Sequence, residues 1–120
     1  PLGGMIEAPH GVICGRLLPH VIAANVQALR DRAPGSPALA RFDEIAQIVT
    51  GNESACASDG VAWVEDLCHA LALPGLRRYG LAEADFPAAV AQARKASSMK
   101  GNPTELQDDE LTAILAAATD

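Results

Sequence analysis

Apolar positions recur every three and four residues along most of the chain, the period of a helix with one buried face. No run alternates as a half-buried strand would. Five helical stretches follow from this pattern. The first opens after Pro9-His10-Gly11 and places Leu18, Ile22, Val26 and Leu29 on one face. Pro19, inside that stretch, removes a backbone donor and is expected to kink or divide the helix. Residues 31–37, with Gly35 and Ser36, read as a loop. The second stretch covers about 37–49, its proline suited to a first turn, with Leu39, Phe42, Ile45, Ala46 and Val49 as a buried stripe. The third starts near Ser58 or Asp59, either of which can cap it. Val61, Val64, Leu67, Cys68 and Leu71 form its inner face, and Leu73-Pro74-Gly75 stops it. Residues 76–80 make a single turn, and the fourth stretch runs from about 85 to 97. The fifth begins at Gln107 or Asp108. There Asp108, Asp109 and Glu110 complement the positive end of the helix dipole, and Leu111, Ile114 and Leu115 turn inward.

Composition sharpens this into an expected all-α fold, a small irregular bundle of about five helices forming one domain over residues 1–120. The chain has 120 residues, of which 24 are alanine and only 3% are aromatic. Alanine favours helices, whereas strands draw on β-branched and aromatic residues. So few aromatics also make for a thin core. The net charge of −6 argues against a nucleic-acid surface, which needs clustered Lys and Arg. No uninterrupted apolar run reaches the length of a membrane span, and no signal peptide is visible, so no membrane partner is expected. Three cysteines without repeated spacing do not suggest a disulfide framework; a reducing, cytoplasmic setting is the expectation.

Candidate chemistry is sparse. The acidic residues cluster at helix starts, where capping explains them. Gly3-Gly4 has neither a following Lys nor a preceding strand, so it is no phosphate loop. Cys14, Cys56 and Cys68 lack zinc-site spacing, and Cys68 reads as a small buried hydrophobe. His69 reads as a surface or boundary residue and His20, after Pro19, as structural. His10 stands apart. It opens a helix, where the dipole disfavours a protonated imidazole, and a neutral imidazole is what a metal requires. Cys14 lies four residues on and shares its face, but two ligands are too few for a site. On the residues alone, His10 is either structural or one ligand of a site completed elsewhere.

The stretch from Leu2-Gly3-Gly4 through Pro9-His10-Gly11 to Leu17-Leu18-Pro19-His20-Val21 resembles the iron-containing alcohol dehydrogenase family. Ala72-Leu73-Pro74-Gly75-Leu76, Tyr79-Gly80, Asp85-Phe86-Pro87 and Gly101-Asn102-Pro103 extend the resemblance over essentially the whole chain. It implies the C-terminal helical part of a two-domain enzyme. In that family an N-terminal α/β domain binds NAD(P), and the helical domain bears a metal, Fe(II) or Zn(II), held by one Asp and three His. Only the His of Pro-His-Gly maps onto this chain, at His10, so no residue here is expected to be catalytic or to bind NAD(P). The implied reaction interconverts alcohols and aldehydes or ketones by hydride transfer. Thr104 follows Asn102-Pro103 where many members carry Arg. The resemblance favours native sequence at the N-terminus, with Pro1 lying mid-motif, over a start at Met5 behind a cloning scar.

This chain alone is therefore expected to be inactive, to bind neither metal nor NAD(P), and to require the nucleotide-binding domain and a small alcohol or aldehyde substrate as partners. The other reading is a free-standing helical module that binds a partner without catalysis. The apolar cluster Leu17-Leu18-Val21-Ile22 exceeds what one helix face needs. It predicts an exposed apolar patch near His10, or self-association that covers it.

Overall fold

The computed structural model describes residues 2–120; Pro1, the mid-motif start noted above, lies outside them. Five α-helices follow in order: α1 (His10–Arg32), α2 (Pro37–Thr50), α3 (Ala57–Ala70), α4 (Phe86–Lys95) and α5 (Asp108–Thr119). Short 3-10 turns occupy Leu2–Gly4, Leu76–Tyr79, Glu83–Asp85 and Ser97–Gly101. There is no strand among the described residues, so the fold is all-α as the periodicity predicts.

Helix α1 is the spine. One side of it packs with α4, α5 and the connecting turns around a core that includes Ile13, Leu76, Leu81, Phe86, Val90 and Ile114. Leu2 and Ile6 belong to the same core, so the segment ahead of α1 is packed structure. The other side of α1 meets α3, which pairs closely with α2. Helix α1 is long and apolar enough by composition to cross a membrane. Its buried positions include Val26, Ala28 and Leu29.

Pro19 does not divide α1. The missing Pro19 N–H frees the carbonyl of Gly15, and the Cys68 thiol donates to that oxygen at 3.3 Å. Cys68 is thus buried, as expected, and also fills a vacancy in the helix ladder. Gly15 also leaves room for Leu73: a Cβ there would sit 2.9 Å from Leu73 Cδ1.

The α2–α3 pair departs most from the pattern. Of the expected α2 stripe only Ala46 is buried, while Ile45 is 50% exposed. Leu67 on α3 is 41% exposed and Leu71, just past its end, 62%, and the inner face is built from Ala57, Gly60 and Cys68. Small residues let the backbones close up: a Cβ on Gly60 would meet Ala46 Cβ at 3.0 Å. The large side chains are left at the margins of this narrow contact. The start of α3 also moves. Cys56 is its N-cap, and Asp59 reaches back to accept the Cys56 N–H at 2.9 Å. Asp43 on α2 accepts the Ala57 N–H at 2.8 Å, which locks the two helices in register.

Helix α4 ends at Lys95 rather than near Ser97, because Ala96 is extended and the chain turns to carry Met99 onto the core. Helix α5 follows the sequence closely. Gln107 caps it, Glu110 accepts the Gln107 N–H at 2.8 Å, and Leu111, Ile114 and Leu115 are buried.

Candidate functional site

His10 is the first residue of α1, preceded by Pro9 with φ −57 and ψ 137, an extended entry from which the helix starts abruptly. Proline holds that φ in place, and Gly11 adds no side chain beside the imidazole. The ring is exposed. Its Nε2 lies 3.3 Å from Sγ of Cys14, one turn along the same face and also exposed. The unpaired N–H groups of the first turn lie at the same end of α1 as the ring. An exposed imidazole free of any carboxylate fits the part of one metal ligand. Among the described residues no three His, Cys, Asp or Glu side chains come together as a metal site. A complete coordination sphere would therefore need donors from beyond this set.

The other singled-out residues separate from His10. His69 is exposed, as expected. His20 is half-buried, and burial holds its pKa below the ordinary value, assisted by Arg16 and opposed by Glu65. Cys56 belongs to the α3 cap, and all three thiols are free. The apolar segment after His10 is less exposed than its composition suggests. Leu18 is 47% exposed, whereas Leu17 and Val21 pack against the core. The large exposed apolar residues lie mainly on α2 and α3 instead, at Ile45, Ile48, Trp63, Leu67 and Leu71.

The Gly101-Asn102-Pro103 segment has a structural anchor that sequence reasoning missed. Asn102 and Asn25 exchange side-chain hydrogen bonds, Asn25 Nδ2 donating to Asn102 Oδ1 at 3.0 Å and Asn102 Nδ2 to Asn25 Oδ1 at 2.6 Å. Asn102 Nδ2 also donates to the Thr104 carbonyl. Asn25 is 3% exposed, a polar residue set between apolar positions of α1. That interruption was the available signal. The pair ties the segment after α4 to the middle of α1.

The C-terminal family model of the Fe-containing alcohol dehydrogenases matches residues 1–119. The chain belongs to this family. Two relatives, both named 1,3-propanediol dehydrogenase, match 98% of the chain. The one from Klebsiella pneumoniae is 32% identical over 123 residues. The one from Citrobacter freundii is 31% identical over 125. The chain spans only 30% of the length of each relative. No solved structure gives a significant match. Membership in the iron-containing alcohol dehydrogenases agrees with the all-helical architecture.

Proposed function

We propose that this chain is the metal-bearing C-terminal part of an NAD(P)-dependent alcohol dehydrogenase that interconverts alcohols with aldehydes or ketones. The observation that carries the reading is the family match over residues 1–119, with His10 of Pro9-His10-Gly11 presented, exposed, at the first position of α1. His10 supplies one metal ligand in this reading, and the remaining ligands and the nucleotide-binding domain come from sequence beyond this chain. When bound, the metal supplies Lewis acidity to the substrate oxygen and the nicotinamide exchanges hydride with the substrate carbon.

What this chain contributes is positioning. Pro9 and the first turn of α1 fix the backbone of His10 and present its imidazole, whose lone pair is what a metal takes. The packed Leu2 and Ile6 hold the preceding segment against the core. The relatives' name points to a short-chain alcohol as substrate. The exposed apolar side chains of α2 and α3, with Leu18, offer surface for another domain or a second copy.

The test is metal analysis and NADH-linked aldehyde reduction, on the longer polypeptide containing this sequence and on the 120-residue chain alone. The longer protein is expected to hold a divalent metal and turn over, and the chain alone to do neither. His10→Ala in the longer protein should lower metal affinity by at least the roughly 10–100-fold seen for lost outer-shell partners. Unchanged metal content in that variant sinks the assignment of His10. A longer protein that binds neither metal nor nicotinamide favours the partner-binding module.

A further inference from the structure

We propose that a cavity between α1, α4 and α5 is a binding site for a small apolar molecule about the size of benzene. The space measures about 180 Å³. Its walls come from Leu17 and Val21 on α1, Val90 on α4, and Ile114 and Leu115 on α5, with Leu2 also contributing to the lining. Every lining residue but one is apolar, and the exception is Asn102.

Asn102 has little to offer a water. Both N–H bonds of its amide are taken, one by Asn25 and one by the Thr104 carbonyl, and its oxygen already accepts from Asn25. An ordered water needs two to four polar partners, which this pocket does not supply. An enclosed apolar cavity of about 150 Å³ takes up benzene or xenon. The present pocket is slightly larger and its lining comparably apolar, but it opens to solvent on one side, so an aromatic ring or a short branched hydrocarbon entering it displaces only poorly partnered water. Ala93 and Met99 line it while remaining half-buried, which gives a ligand a way in from solvent. The flexible Met99 thioether adapts to the occupant's shape and makes favourable contacts with an aromatic edge. The proposal stands on the cavity alone and does not depend on the assignment of His10.

The experiment is a benzene titration of the 120-residue chain followed by methyl NMR, with Ala93→Phe and the milder Ala93→Leu as cavity-filling variants. The expected result is a saturable shift of the Leu17, Val21, Ile114 and Leu115 methyl signals, with a rise in Tm. Both effects should be lost in whichever variant retains the wild-type spectrum at Ile45 and Ile48. Shifts that do not saturate and centre on the exposed Ile45, Ile48 and Leu71 methyls would show surface adsorption and overturn the site. Absence of any shift overturns it as well, as does saturable binding undiminished in a folded filled variant.

Discussion

Two polar side chains carry constraints out of proportion to their size. Asn25 and Asn102 are 77 positions apart, and the half-buried Asn102 satisfies the buried Asn25. Asn25→Ala leaves the Asn102 amide short of a partner and should cost about 1–3 kcal/mol in urea unfolding. A double-mutant cycle with Asn102→Ala should show clear coupling between the two positions; strict additivity would disprove the pairing. His20 gives a pH signature. Its folded pKa lies below 6.5, first because of burial and second because of Arg16, with Glu65 acting against both. The unfolded chain therefore takes up the proton first as pH falls. Stability contributed by neutral His20 is full above the unfolded pKa and is lost progressively as pH drops from about 6.5 towards the folded value. Thermal unfolding across that window should show the loss, and His20→Gln should flatten it. The motif at His10 was legible because its residues are contiguous, and the asparagine pair was not because nothing local announces a partner so far away.

At the scale of elements, legibility followed side-chain size. Helix α5 reads correctly because Leu111, Ile114 and Leu115 are large, close in sequence and all buried. Helices α2 and α3 mislead because their contact is made by Ala46, Ala57 and Gly60, which a hydrophobic pattern weights weakly. Gly60→Ala tests this directly. Helix propensity alone gains up to about 1 kcal/mol for that change. The added Cβ, however, would sit 3.0 Å from Ala46 Cβ and 3.2 Å from its Cα, which is backbone and cannot step aside. A net loss of about 1–3 kcal/mol is expected in chemical denaturation, and a gain would mean the helices are not in close contact. Pro19 lies inside α1 without dividing it, and the Gly15 carbonyl that it frees finds a donor in Cys68 of α3.

For the whole molecule, α1 divides two unlike halves. On one side large side chains interlock with α4 and α5, and the Arg32–Glu110 ion pair at 2.8 Å joins the end of α1 to the start of α5. That pair, together with the Gln107 N–H, holds the Glu110 carboxyl below its usual range. Its contribution is therefore present above the ordinary carboxylate pKa and fades as pH falls through the folded one. On the other side, α2 and α3 meet through Ala46, Ala57 and Gly60, and α3 meets α1 through the Cys68 thiol and beside Val26. That asymmetry has a kinetic consequence. The large apolar side chains of this pair, among them Ile45, Ile48, Trp63 and Leu67, stay exposed, so the two helices can lift away as a unit while the rest stays folded. Amide hydrogens of α2 and α3 should then exchange with deuterium together and well ahead of those in α5, at rates set by a partial opening rather than by global unfolding.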